Sequence, residues 1–159
     1  MPNSKAQIVK RTLTVLLVGL IVIQFIRPAP NANAEINAND ITRNYMVPDS
    51  VQTILKRACY DCHSNYTVYP WYSKIQPVAF WMNDHIKEGK GHLNFSEFNT
   101  YTPEKKAKKL HGVAKVIDEG EMPLESYLWI HKDAKLTNTQ KMLVEQWAEG
   151  LSKQIAAQK

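Results

Sequence analysis

Two cysteines and a histidine lie close together in the order Cys59-Tyr60-Asp61-Cys62-His63, and the chain of 159 residues has no other cysteine. The spacing C-x-x-C-H is the attachment motif for c-type haem. Two thiols in one helical turn reach the two vinyl groups of a porphyrin edge and form thioethers, and the adjacent imidazole then lies under the iron. We therefore predict that Cys59 and Cys62 hold one covalently attached haem c and that His63 is its proximal iron ligand.

Other uses of the cysteine pair are possible. A zinc site needs four ligands such as two cysteines and two histidines, and a finger-like histidine pair is missing from the sequence. A thioredoxin-like C-x-x-C belongs to a βαβ context, which the sequence lacks. A disulfide between Cys59 and Cys62 would close a very tight loop. A non-haem module held by zinc or by a disulfide therefore stays as an alternative.

The sixth iron ligand is predicted from the segment Gly120-Glu121-Met122-Pro123. A methionine in a loop can be aimed at iron without distorting a helix, and the proline after it stiffens the loop. Methionine–histidine ligation raises the reduction potential and suits an electron carrier. We predict Met122 as the distal ligand, with His85 as the alternative, which would give a bis-histidine carrier of lower potential.

The orientation of His63 requires a second partner for its ring. A proximal histidine usually gives its other ring N–H to a carbonyl or a carboxylate. We expect a backbone carbonyl from the region of Pro70 and Pro77.

The N-terminal segment is predicted to direct the chain across a membrane. Residues 12–26 are apolar on every face, and Lys5, Lys10 and Arg11 precede them. An excess of Lys and Arg stays in the cytoplasm, so the rest of the chain is expected outside.

Two forms of export are compatible with this segment. A signal peptide cleaved after Ala34 would give a soluble periplasmic protein. An uncleaved anchor is favoured, because Arg27 and Pro28 directly after the apolar run fit a cleavage region poorly. We predict a single-pass protein of the cytoplasmic membrane with its C-terminal domain on the periplasmic side.

The net charge of +5 does not indicate a nucleic-acid partner. Residues 1–34 contain four basic side chains and no acidic one, so the rest of the chain is nearly balanced. Three regions follow from composition: a membrane anchor or signal segment (1–27), a tether rich in Pro, Asn and Ala (28–47), and a haem-binding domain (48–159).

The domain is predicted to be all-α, because no segment alternates with a period of two. Four helices are indicated. The first starts at a capping box of Asp49 and Gln52 and runs into Cys59, and the second covers about residues 76–88 and stops at Gly89 and Gly91. The third starts at Thr102-Pro103 and ends at Gly120. The fourth starts at Thr137 and Gln140, with an inner face of Leu143, Val144, Trp147 and Leu151.

A helix that ends in C-x-x-C-H, a Met-Pro loop and a closing helix resemble the layout of class I cytochromes c. The chain resembles more closely the bacterial haem-binding domain family of small anchored or exported proteins. The matching stretches are residues 24–28, 59–65, 69–72, 92–96 and 120–123, with the helix around Trp147. The resemblance implies a cytochrome c-like helical domain around one haem, and it names no redox partner.

With His63 and Met122 on the iron, no position is open to a substrate. We therefore expect an electron carrier rather than an enzyme. The alternative is a peroxidase-like enzyme or a ligand-binding sensor, whose sixth iron position is open or exchangeable.

Overall fold

The computed structural model describes residues 4–158. This part of the chain contains no β-strand, so the predicted all-α class is confirmed. Its α-helices are α1 (Ser4–Ile23), α2 (Ile41–Asn44), α3 (Asp49–Ala58), α4 (Tyr60–His63), α5 (Val78–His92), α6 (Pro103–Asp118), α7 (Glu125–Leu128) and α8 (Asn138–Ala156). Three 3₁₀ segments cover Trp71–Lys74, Phe95–Thr100 and Lys132–Ala134.

The described residues divide into two compact units. The N-terminal unit contains residues 4–30 and 69–85, and the core unit contains residues 31–68 and 86–158. The core unit thus begins at Asn31, ahead of the domain boundary that the composition predicts at residue 48. In the N-terminal unit, α1 is long and apolar enough to cross a membrane, and none of its residues is buried.

The core unit is built around the pair α6 and α8, which pack against each other along most of their length. The predicted start of α6 is confirmed, with Pro103 in its first turn and the Thr102 side chain accepting the Lys105 N–H. The capping box of Thr137 and Gln140 at α8 is confirmed as well. Such caps satisfy backbone donors that have no partner inside the helix. The packed faces bury Leu110, Ala114 and Ile117 of α6 and Val144, Ala148, Leu151 and Ile155 of α8.

Three local predictions are wrong. The helix α3 begins with Pro48 at the N-cap and no side-chain cap, so Asp49 and Gln52 form no capping box. The helix α5 continues through Gly89 and Gly91 to His92. In α8, Leu143 is exposed, because the buried stripe runs from Val144 at intervals of three and four residues.

The segment after α1 makes more contacts than a tether requires. The Asn31 Nδ2 donates to the Ser64 carbonyl (2.9 Å) and to the Thr67 hydroxyl (3.0 Å). Its backbone carbonyl accepts from the Thr67 N–H at 3.0 Å. We call residues 31–40 the arm, and these bonds fasten its first residue beside the end of α4.

The Glu97 carboxylate fastens the arm a second time. Its Oε1 accepts from Asn37 Nδ2 at 3.0 Å and from Asn65 Nδ2 at 2.7 Å, and its Oε2 accepts from Asn39 Nδ2 at 3.2 Å. Asn65 lies two residues after His63, so one carboxylate joins the arm to the segment that follows the C-x-x-C-H motif. Three amide donors on one half-buried carboxylate are a stabilising arrangement, since hydrogen bonds to charged groups are stronger than neutral ones.

We predict that Glu97→Ala lowers the free energy of unfolding by about 1.5–3 kcal/mol, the range for hydrogen bonds to a charged group. Glu35→Ala is the matched control, because the Glu35 side chain is exposed in the same arm, and it should change stability by less than about 0.5 kcal/mol. Thermal and urea unfolding of the full chain in detergent, followed by helical circular dichroism, measures both. Equal stability of the two variants would show that the carboxylate does not hold the arm.

Candidate functional site

The C-x-x-C-H motif lies on a single helical turn at the end of α3. The buried residues Val51, Ile54, Leu55 and Ala58 fix α3 against the core. At Cys59 the backbone leaves helical geometry, with φ −128° and ψ −40°, and the turn α4 follows. The Cys59 carbonyl accepts the N–H groups of Cys62 at 3.2 Å and of His63 at 3.0 Å. Both thiols and the imidazole are thereby carried on one short turn, as the motif predicts. We call residues 59–63 the attachment turn.

The His63 ring is oriented by α5. Its Nδ1 lies 3.0 Å from the Leu93 carbonyl oxygen. Because a carbonyl only accepts, Nδ1 carries the proton and Nε2 keeps its lone pair. The expectation that the acceptor comes from the region of Pro70 and Pro77 is wrong. The acceptor is the carbonyl of Leu93, the residue directly after α5 and about thirty residues along the chain from His63.

His63 is held in its neutral form, which favours metal binding. Burial lowers the pKa of His63, because the charged ring would lose its hydration, while the carbonyls of Leu93 and Gly89 act in the opposite direction. The neutral ring is the form that binds a metal.

The two cysteines are free thiols. Burial raises the pKa of Cys59 to about 12, and the neighbouring Cys62 adds to the shift. Burial and the Asp61 carboxylate raise the pKa of Cys62 to about 11. Both thiols are therefore uncharged at neutral pH. A dithiol redox centre instead relies on a lowered pKa, so the electrostatics disfavour a thioredoxin-like function.

A glycine allows α5 to approach the attachment turn. A Cβ atom on Gly89 would lie 2.7 Å from the Cys62 carbonyl oxygen and 3.1 Å from the Cys62 Cβ. Real Cβ atoms are essentially never found so close to another atom. Gly89 is thus a packing residue rather than the helix stop that the sequence suggests. A Cβ on Gly91 would meet nothing within 4 Å.

Asp61, inside the motif, connects the attachment turn to two other segments. Its carboxylate accepts the Val68 N–H at 3.0 Å and the Tyr127 hydroxyl at 2.7 Å. The Asp61 backbone carbonyl accepts the Thr67 hydroxyl at 2.6 Å. Burial and the bond to Asp61 raise the pKa of Tyr127, so the phenol stays a donor. Sequence reasoning missed Asp61 and Tyr127, because nothing local relates positions 66 residues apart.

A family model, described as a haem-binding domain, matches residues 18–150. The chain belongs to this haem-binding domain family. The match covers most of the chain, including the attachment turn, Gly89 and Met122. Neither a curated protein nor a solved structure matches the chain with significant similarity.

The residues of this haem-binding protein fit the predicted cofactor. His63 offers an unprotonated Nε2 beside two free thiols on one turn. The Nε atom of Arg57 and the hydroxyl of Tyr60, on either side of Cys59, are buried without a hydrogen-bond partner in the described part of the chain. Two donors next to the attachment turn are therefore available to an acceptor that the chain itself does not supply.

The two candidates for the sixth ligand lie in different units. Met122 is half-buried in the core unit, in a turn where the N–H groups of Glu121 and Met122 both donate to the Val116 carbonyl. Gly120 starts this turn with φ +73°, a left-handed conformation that glycine adopts readily. His85 belongs to the N-terminal unit, where its Nδ1 lies 2.8 Å from the Trp81 carbonyl oxygen.

A zinc site receives no support from residues 4–158, where no group of three or more His, Cys, Asp or Glu side chains is placed to hold a metal ion.

We predict that Gly89→Ala destabilises the core unit by about 1–3 kcal/mol, as is typical of an overpacked interior. The new methyl group must push α5 away from Cys62, which also weakens the bond between Leu93 and His63. Gly91→Ala on the same helix is the matched control, and it should be neutral or stabilising by up to about 1 kcal/mol, because alanine favours a helix. The measurements are thermal unfolding and haem content per chain. Identical values for the two variants would show that the close approach is not required.

Proposed function

We propose that the chain binds one haem c through Cys59 and Cys62, with His63 as the proximal and Met122 as the distal iron ligand. The observation that carries the proposal is the hydrogen bond between His63 and Leu93, which leaves Nε2 of the ring free for iron on the same turn as two free thiols. Haem, when bound, supplies a one-electron iron couple whose potential depends on the axial ligands.

The residues around this site support a carrier of electrons rather than an enzyme. His63 and Met122 would fill both axial positions, so no substrate would reach the iron. The order of the elements, with α3 leading into the C-x-x-C-H turn and the Met-Pro turn preceding α8, resembles the layout of class I cytochromes c and supports the proposal. No feature of the chain identifies the redox partner.

The proposed location is the outer side of the cytoplasmic membrane. The helix α1 is long enough to cross a bilayer, and its three basic residues, Lys5, Lys10 and Arg11, all lie before its apolar run. The excess of positive charge at this end of the helix favours a periplasmic core unit. We favour retention of α1 as an anchor over cleavage after Ala34.

We predict that the denatured protein keeps its haem. The full chain, produced in cells with a c-haem maturation system, should carry the mass of one haem after acid–acetone extraction, because thioether bonds survive loss of the fold. Cys59→Ala and Cys62→Ala should each weaken or abolish stable attachment. A mass equal to the bare polypeptide would exclude covalent attachment but would still be compatible with non-covalent haem binding.

We predict that Met122→Ala opens the sixth iron position. The oxidised spectrum should become high-spin or admit added imidazole. The potential should fall on the order of 100 mV, well inside the ~0.8 V range that axial ligands control, because a soft thioether favours ferrous iron. The fold should survive, since the covalent bonds and His63 remain. Spectroscopy and redox titration measure both effects.

Met142→Ala is the matched control, because Met142 is exposed on α8, and it should leave the spectrum unchanged. His85→Ala should do the same. If Met122→Ala leaves the oxidised spectrum unchanged and His85→Ala alters the spin state, the carrier is bis-histidine. If neither variant alters it, the iron is five-coordinate and an enzyme or sensor is the better interpretation.

A further inference from the structure

The segment 69–81 of the N-terminal unit is hydrogen-bonded to the C-terminal end of α1. The Gln24 side chain accepts the Gln76 N–H at 2.9 Å and donates to the Gln76 carbonyl at 3.2 Å. The Gln76 side chain donates in turn to the Ile26 carbonyl at 2.6 Å. The Arg27 guanidinium donates to the Lys74 carbonyl at 2.7 Å. These four bonds hold the segment at the level where the apolar helix ends.

In the N-terminal unit, some polar side chains are buried while several large apolar ones are exposed. Gln76 and Ser73 are buried, with 3% and 8% of their surfaces exposed. Trp71 is 75% exposed and Phe25 84% exposed, and about half of the surface of Ile26, Ile75 and Trp81 is exposed. Large apolar side chains exposed on two hydrogen-bonded segments are typical of an interaction site.

The chemistry of the exposed groups matches the boundary between lipid and water. Tryptophan and tyrosine are enriched at that depth, where an apolar ring and a polar N–H or O–H are both accommodated. Arg27 and Lys74 lie beside them, and residues 24–30 and 69–81 contain no acidic side chain. Long basic side chains at a helix end reach lipid headgroups, which carry phosphate.

We infer that Trp71, Ile75 and Trp81, together with Phe25 and Ile26, form a membrane-interface surface that inserts into the lipid headgroup and upper acyl region. The partner is therefore the bilayer that α1 crosses, and Gln76 fixes the surface at that depth. The inference rests on the proposed retention of α1 as an anchor.

Photocrosslinking to lipid tests the inference. The full-length holoprotein is placed in nanodiscs of phosphatidylethanolamine and phosphatidylglycerol, with a phospholipid that carries a diazirine near its headgroup, and adducts are mapped by mass spectrometry. We expect adducts in α1 and in residues 69–81. Trp129, in the core unit, is 66% exposed, so its peptide measures the labelling that exposure alone produces.

Two variants sharpen the test. The variant Q24A/Q76A should remove most adducts from residues 69–81 while those in α1 persist, because the side chains of Gln24 and Gln76 make three of the four bonds between this segment and residues 24–27. The double variant W71S/I75S should lose the adducts of residues 69–81 and keep the haem spectrum of the wild type.

The interface surface, the bonds that hold it and the anchor would each be contradicted by a different result. Adducts in α1 alone, equal labelling at Trp129, or an altered haem spectrum in W71S/I75S would overturn the inference while leaving the anchor in place. Unchanged labelling in Q24A/Q76A would refute the role of the bonds between Gln24, Gln76 and Ile26. A mature chain that starts at Glu35 would refute the anchor, and the inference with it.

Discussion

The close approach of α5 to the attachment turn is the constraint on which the site depends. The turn α4 has four residues, too few to be stable as an isolated helix. Gly89 lets the backbone of α5 reach Cys62, and the Leu93 carbonyl one turn later then meets the His63 ring. Because Gly89 has no side chain, the Leu93 carbonyl can reach His63, and this bond sets both the tautomer and the direction of the proposed iron ligand.

Polar side chains hold the same turn from other directions. Asp61 connects it to Tyr127 and Val68. The Ser64 hydroxyl donates to the Tyr60 carbonyl and accepts the Tyr66 N–H. Asn65 continues the network to Glu97. Tyr127 and Glu97 come from distant parts of the chain, so the tertiary fold contributes to the geometry of the turn. A ligand direction that the fold fixes would lower the cost of ordering the proposed haem site.

Local signals in the sequence predict the parts of the fold that depend on neighbouring residues. The C-x-x-C-H spacing, Thr102 before Pro103, and Thr137 with Gln140 each act within one turn, and the structure contains all three features. The sequence predicts a helix stop at Gly89, because a glycine that ends a helix and one that allows close packing give the same local signal. The Leu93 acceptor, Tyr127 and the arm could not be predicted, since their partners are brought together only by the tertiary fold.

The position of Cys59 bears on the proposed covalent attachment of haem. Cys59 and Tyr60 are partly buried and pack against the buried cluster that includes Phe95, Phe98, Leu110 and Val144. The proposed attachment point therefore lies at the edge of this cluster rather than within it. Burial in such a place provides less apolar contact than a fully enclosed pocket, and contact area sets much of a non-covalent affinity. In the proposed site, two thioether bonds would make retention of the haem independent of that area.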